Sequence, residues 1–278
     1  MSPPSFDLSS KVAIVTGAVG LLGKQHCRAL RSAGAHAVVA AVSLEGARAF
    51  AAELDGEPFS GLEKPRVLAV GVDVTKKPSL EAARESILDA FARIDVLVNN
   101  AAINDMFESP QAGAELSKFE NYPLELWQRS LDVNVTGVFL ASQVLGTPMA
   151  KAKRGSIINV ASTYGLVGPD QSIYKRPDGT QSFYKSASYP ATKGAVLNFT
   201  RFLAAYWGHL NVRVNSLCPG GIENHQDAYF LENYAKKTPL GRMGKSDEMG
   251  GAIVFMASDA SSYMTGSTVV VDGGWTAW

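Results

Sequence analysis

Thr16-Gly17-Ala18-Val19-Gly20-Leu21-Leu22-Gly23 follows an apolar, β-branched run at residues 11–16 and opens a stretch with helical spacing at residues 22–32. Glycines in that setting let the backbone turn tightly and come close to a pyrophosphate. The anion's charge then rests on the free N–H groups and positive end of the helix that follows. A tight strand-to-helix turn without a ligand is the plainer reading of the same letters, and the rest of the chain has to choose between them.

Outward from this loop, short β-rich runs alternate with longer helical patterns. The strands are read at residues 11–16, 36–42, 66–70, 96–99, 156–161, 212–217 and 268–271, and the helices near 22–32, 45–54, 79–92, 124–150, 189–208 and 247–257. Such alternation forces parallel strands joined by right-handed crossovers, so it predicts an α/β fold with one doubly wound parallel sheet of about seven strands flanked by helices. No repeat, low-complexity tract or composition shift marks a second unit, and residues 1–278 are read as a single dinucleotide-binding and catalytic domain. Three connections, 103–123, 163–188 and 219–243, exceed the usual ~2–6 residues. Each follows the C-terminal end of a strand, the edge where such sheets bind ligands, so all three are expected to stand over one site and recognise substrate. Surface decoration is the alternative.

Lys plus Arg and Asp plus Glu number 26 each, a formal net charge of zero. That removes the electrostatic footprint of a nucleic-acid binder, and no nucleic-acid partner is expected. With 46% hydrophobic and 19% charged residues, disorder is excluded as the main state. Residues 133–150 carry no charge and reach the length at which a membrane helix must be considered, but Asn134, Thr136, Ser142, Gln143 and Pro148 argue against one. Cys27 and Cys218 make no disulfide framework, and no basic start followed by an apolar run appears in residues 1–10, so a cytoplasmic location is expected. His26, His36 and His209 are scattered without zinc-ligand spacing, so no catalytic metal is expected, and Cys218 is read as packing rather than as a nucleophile.

Asp73 closes the third strand and is followed by Val74, while Asn99-Asn100-Ala101-Ala102 closes the fourth. A short carboxylate at a strand end can accept the adenine amino group, and an Asn pair can fix backbone turns beside a ribose; alone, either is as well explained by loop capping. The second strand ends Val39-Ala40-Ala41-Val42-Ser43, with Ala41 where an acid would bind the ribose 2′-hydroxyl. Its absence removes the repulsion against a 2′-phosphate and Ser43 offers one hydrogen bond. No arginine supplies a counter-charge, so the balance between NAD and NADP tips only slightly to NADP.

Tyr189-Pro190-Ala191-Thr192-Lys193 begins a long helical pattern. Pro190 is tolerated only in a first helical turn, which places Tyr189 at the helix mouth, and Lys193 four residues on shares its face. A phenol with a pKa of ~10 is a poor base until a cation favours the phenolate. An ordinary exposed helix pair is the alternative for these two residues taken alone.

Taken together, these pieces resemble the short-chain dehydrogenase/reductase family over nearly the whole chain. The resemblance is carried by the loop at 16–23, Asp73, Asn99 to Ala102, Asn134 in Leu131-Asp132-Val133-Asn134-Val135, Ser162 after Asn159-Val160-Ala161, Tyr189 with Lys193, and Pro219-Gly220. It implies a Rossmann-type fold and an NAD(P)(H)-dependent oxidoreductase acting on a small molecule. Tyr189 would be the general acid/base, and Ser162 would polarise the substrate oxygen. Lys193 would hold the nicotinamide ribose and lower the Tyr189 pKa, while Asn134 would hold a proton-relay water. By the same resemblance the dinucleotide should meet Gly17, Gly20, Leu22, Gly23, Ser43, Asp73, Val74, Asn100, Ala101, Tyr189, Lys193, Pro219, Gly220, Ile222 and Asn224. The physics agrees, since donors aimed at a developing alkoxide are worth about 10² to 10³ in rate each and acid–base transfer roughly 10² to 10⁴. It also implies a homodimer or homotetramer, paired through the outer faces of residues 124–150 and 189–208.

The chain departs from the common family pattern at Leu21, Ala102 and Asn224, and in having 26 residues between Ser162 and Tyr189. Both ends of that extra segment are pinned at the reaction centre, so it must arch close by; Tyr174, Lys175, Arg176, Tyr184 and Lys185 are its candidates to meet a polar or anionic substrate, with a solvated loop as the alternative. Tyr164, His225 and Gln226 are further substrate candidates. The stretches 164–169, 220–227 and 275–278 resemble a bacterial subgroup associated with surface-polysaccharide and nonulosonic-acid pathways, which implies a carbohydrate or sugar phosphate. A small ketone, a steroid-like molecule or an acyl thioester is the rival substrate. A dinucleotide-sensing protein that lost the reaction is the rival function.

Overall fold

The computed structural model describes residues 5–61, 63–104 and 110–278. Seven parallel strands form one sheet: β1 (Val12–Thr16), β2 (His36–Ala41), β3 (Val67–Gly71), β4 (Val96–Asn99), β5 (Gly155–Val160), β6 (Val212–Pro219) and β7 (Thr268–Val271). Their spatial order is β3-β2-β1-β4-β5-β6-β7, so the chain winds one way from β1 and then returns to its other side at β4. That reversal opens a crevice between the C-terminal ends of β1 and β4, where doubly wound sheets bind their ligands.

Period-two alternation distributes the core over both faces of the sheet. Ala13 and Val15 of β1 pack with Cys27 and Leu30 of helix α1 (Leu21–Ser32), Phe50 and Leu54 of α2 (Leu44–Gly56), and Ile253 and Met256 of α9 (Gly250–Ala257). Val12 and Ile14, pointing the other way, pack with Leu80 and Ile87 of α3 (Lys77–Phe91), Leu145 and Met149 of α6 (Gly137–Ala152), and Leu203 of α7 (Ser188–Trp207). Each fully buried Leu or Ile contributes roughly 1.5–3 kcal/mol relative to exposure, which is why strands read as continuous apolar runs tolerate no polar slip in register.

Two expected elements differ in form. Residues 124–150 are not one uniform helix: α5 (Leu124–Leu131) passes through a π-helical turn at Asp132–Thr136 before α6 begins. The widened turn buries Asn134 (1% exposed), and π-bulges of this kind concentrate at functional sites. The long connections also contain short helices that the sequence pattern does not announce, α4 (Pro110–Ser117) and α8 (Ala228–Ala235). Part of the expected substrate segment 103–123 lies outside the described residues. Among the described residues, no helix is long and apolar enough to cross a membrane.

Candidate active site

The glycine loop and the end of β4 meet at the sheet's reversal point. Asn100 donates from Nδ2 to the carbonyls of Thr16 (3.0 Å) and Gly17 (3.2 Å), while the Thr16 hydroxyl accepts the backbone N–H groups of Asn100 and Ala101 at 3.1 Å each. Gly17 has φ +62°, and a Cβ there would stand 2.8 Å from the Ala101 Cα. At Gly23 a Cβ would come within 2.2 Å of the Gly17 carbonyl oxygen, so loop and helix are locked together by the absence of side chains. Gly20 caps α1 without a side-chain hydrogen bond, leaving its first N–H groups available to an anion.

A cavity of about 1150 Å³ runs from this loop across the sheet edge, and every residue expected at the dinucleotide lines it. The cradle fits a nicotinamide dinucleotide: a close-approach glycine loop, an uncapped helix N-terminus and a continuous cleft lead from it to Tyr189. At the adenosine end the lining is nearly uncharged, with Val19, Leu21, Ala41, Val42, Ser43 and Thr75 around Asp73. The Ser43 hydroxyl accepts the Gly46 N–H as the N-cap of α2, which fixes its position and leaves its own O–H to donate. Asp73 accepts from the Thr75 hydroxyl and N–H and pairs with Lys76 at 3.2 Å, and these bonds, the Thr75 hydroxyl first, hold its carboxyl below the usual range.

At the other end, Tyr189 stands in the first turn of α7 and lines the cavity together with Ser162, which follows β5. Lys193 is 4% exposed; its ammonium donates to the Val160 carbonyl at 2.8 Å and lies 5.7 Å from the Tyr189 ring centroid. The fold therefore brings the three principal candidates together. The electrostatics differ from expectation, however. Burial raises the Tyr189 phenol above its ordinary value, with the nearby Ser162 side chain pulling the other way, and burial lowers Lys193 to about 8. In this geometry Lys193 is turned toward Val160, and desolvation outweighs any help it gives the phenolate.

The Asn134 side chain is fully engaged with neighbouring segments. Its Oδ1 accepts from the Ile103 N–H at 2.8 Å, and its Nδ2 donates to the Ile103 carbonyl at 3.0 Å and the Thr192 hydroxyl at 3.2 Å. Both donor hydrogens are engaged by protein, so the side chain clamps the chain after β4 to α7.

The 26-residue segment between Ser162 and Tyr189 is a built wall rather than a solvated loop. Ile173 and Tyr174 are buried in a cluster with Tyr234, Met243 and Trp275. Gln171 grips the backbone of Lys185 from both sides, its Oε1 accepting the N–H at 2.8 Å and its Nε2 donating to the carbonyl at 3.2 Å. This sets the Lys185 ammonium 4.4 Å from the Tyr189 ring centroid and 2.6 Å from Asn104 Oδ1. Lys175 is exposed, Arg176 closes a turn with Thr180, and neither lines the cavity.

Of the remaining substrate candidates, Tyr164 and His225 line the cavity, His225 with a left-handed φ of +57°. Gln226 also borders it, but its side chain is spent on its own loop, accepting from the Asn224 N–H at 2.6 Å and donating to the Ile222 carbonyl at 2.9 Å. Phe230, Tyr234 and Asn104 line the site although no motif points to them. The i, i+4 spacing of Phe230 and Tyr234 is a readable sign of a helix face; nothing local marks Asn104. Among the described residues, no group of three His, Cys, Asp or Glu side chains is placed to hold a metal ion.

A doubly wound sheet with a dinucleotide cradle running into a tyrosine, serine and lysine cluster defines an NAD(P)-dependent oxidoreductase. Residues 17–276 match the family described as enoyl-(acyl carrier protein) reductase. The chain is 34% identical over 277 residues to trans-4-hydroxycyclohexanecarboxylate dehydrogenase of Sinomonas cyclohexanicum, covering 100% of this chain and 97% of that protein. It is 31% identical to the NAD-dependent glycerol dehydrogenase of Listeria innocua, covering 98% and 96%. It also superposes on a gluconate 5-dehydrogenase from Burkholderia cenocepacia, solved with NADP and tartrate, with a TM-score of 0.83, 30% identity and 98% of each chain covered. The chain belongs to the short-chain dehydrogenase/reductase family.

Proposed function

We propose that this protein interconverts a secondary alcohol and its ketone on a compact, hydroxylated small molecule, with Tyr189 as the general acid/base. The observation that carries this reading is the convergence of Tyr189, Ser162 and Lys193 on the wall of the cavity that runs from the glycine loop. Bound nicotinamide supplies or takes up the hydride. Ser162 donates to the substrate oxygen as it gains alkoxide character, and Tyr189 passes the proton to or from that oxygen. Lys193, anchored on Val160, reaches the ribose side of the cleft, and Asn134 and Thr192 hold the wall behind it.

Relatives named for ring alcohols, polyols and sugar acids support a carbohydrate-like substrate in that general sense, while relatives named for hydroxysteroids and for an acyl-carrier-protein thioester support the rival classes equally. NADP is held by one structural neighbour and NAD is named for one relative. With no charged group reading the 2′ position, we take both cofactors as usable with a slight lean to NADP. The exposed aromatic face of α6 and α7 supports a homo-oligomer, and two buried, unpaired cysteines suit a reducing cytoplasm.

The test is turnover of a panel of polyols, cyclic alcohols and hydroxy acids, followed at the reduced-nicotinamide absorbance, with the wild type and Tyr189→Phe. Removing only the hydroxyl should lower kcat by about 10² to 10⁴ while leaving cofactor affinity nearly unchanged. Full activity in Tyr189→Phe would remove that residue from the reaction, and tight cofactor binding without any turnover would favour a sensor.

A further inference from the structure

Two phenols face each other on the wall of the substrate chamber. The hydroxyl oxygens of Tyr164 and Tyr174 are 3.3 Å apart, and both residues line the cavity that holds Ser162 and Tyr189. Tyr174 is 4% exposed. Each phenol carries a single O–H, so a bond between the two consumes one donor and leaves the other in need of an acceptor. Among the described residues neither hydroxyl has another hydrogen-bond partner. Leaving a buried donor unpaired costs about 1–3 kcal/mol, a cost that an oxygen atom inside the cavity would remove.

The surroundings restrict what that oxygen belongs to. Phe183 and Phe230 stand 4.7 Å and 5.4 Å from the Tyr174 ring and also border the chamber. They make an apolar wall beside the phenols, their rings tilted by 48° and 31° to that of Tyr174. Tyr164 is only two residues from Ser162, and the phenol pair lines the same cavity as Ser162 and Tyr189. Burial raises both phenols, Tyr174 to about 12, which keeps them neutral donors at any working pH.

We propose that the Tyr164–Tyr174 pair is a second substrate anchor: its spare O–H donates to an oxygen of the substrate other than the one that reacts, while Phe183 and Phe230 pack on the carbon skeleton between the two. The proposal rests on the oxidoreductase reading and deepens it. It selects alcohols bearing a second hydroxyl or a carboxylate away from the carbinol over the mono-alcohol of the same skeleton. Tyr174 enters the site only because of the long segment after Ser162, so this segment becomes the specificity element.

Calorimetric titration of the cofactor-loaded protein with cyclohexane-1,4-diol and with cyclohexanol tests the proposal by binding alone. The diol should bind at least tenfold tighter to the wild type. Tyr164→Phe/Tyr174→Phe should bring the two within about twofold, with cofactor affinity and melting temperature unchanged. Equal affinities in the wild type, equal weakening of both ligands in the variant, or binding of neither overturns the anchor; the wild-type comparison decides by itself if the variant does not fold. A retained diol preference without hydride transfer on any alcohol would instead sink the catalytic reading and leave the anchor in place.

Discussion

The Lys185 ammonium lies 4.4 Å from the ring centroid of Tyr189, nearer than the ammonium of Lys193 at 5.7 Å. Two lysines from different parts of the chain thus address one phenol. The closer one comes from the segment that the sequence shows only as an over-long connection. A cation over an aromatic ring is worth about 0.5–1 kcal/mol at an exposed site and more when desolvated. It favours the phenolate, so it works against the burial that raises Tyr189. Replacing Lys185 with Met should therefore move the alkaline rise of alcohol oxidation upward by about half a pH unit or more, since 1.36 kcal/mol is one unit. The pH profile of kcat/KM checks this; an unmoved profile would show that Lys185 does not tune Tyr189.

Lys193 makes the opposite kind of prediction, about stability. Its folded pKa of about 8 lies below its unfolded value of 10.5, so the unfolded chain holds the proton more tightly. The group therefore costs folding free energy below pH 8, roughly 3 kcal/mol on that difference, and the cost fades as pH rises from 8 to 10.5. Lys193→Met removes the penalty but leaves the Val160 carbonyl without its partner, which returns about 1–3 kcal/mol. The variant should lose activity yet unfold at the same or higher denaturant near pH 7, with any advantage shrinking toward pH 10. A clear loss of stability at pH 7 would contradict the burial cost.

The adenosine end predicts weak cofactor discrimination. Ala41 occupies the strand-end position from which a carboxylate would meet the ribose hydroxyls, and the nearby lining side chains Val42 and Ser43 carry no charge. Ala41→Asp should therefore raise the NAD over NADP preference by about 10- to 100-fold, through hydrogen bonding to one ribose and repulsion of the other's phosphate. Parallel kcat/KM measurements with both cofactors read this directly, and an unchanged ratio would place the 2′ group elsewhere.

Along α6 and α7, Phe139, Phe199, Phe202 and Tyr206 form a ladder of rings with centroids 5.9–6.3 Å apart, of which Phe202 and Tyr206 are 60% and 61% exposed. If the proposed homo-oligomer forms, this apolar stripe is where its subunits should meet. Phe202→Asp should lower the oligomeric state seen by sedimentation without unfolding the chain. A wild-type monomer, or a variant that assembles unchanged, would argue that the ladder is not the interface.

The sheet is legible in the sequence because its signals are local. Apolar runs in β1, β2, β4 and β5 need no partner to be recognised, and glycines at 17, 20 and 23 announce a close backbone approach wherever they occur between strand and helix. Tyr189 and Lys193 are legible for the same reason, since one helical turn places them together. Asn134 stands out in the sequence, but the work of its side chain does not. Only the π turn at Asp132–Thr136 and the proximity of Ile103 and Thr192 show that its amide is a clamp.

What the chain's letters determined, then, is the sheet order's raw material, the glycine loop of the cradle and the pairing of Tyr189 with Lys193, all written in spacings of two to seven residues. What tertiary structure decided is the chamber's far wall and the electrostatics of its centre. Gln171 holding Lys185, Tyr174 reaching Tyr164, and Phe230 packing on Tyr174 are contacts made only by folding. The direction in which burial moves Tyr189 and Lys193 depends on how much water the surrounding side chains exclude, a property that belongs to the packed whole and to no stretch of the sequence.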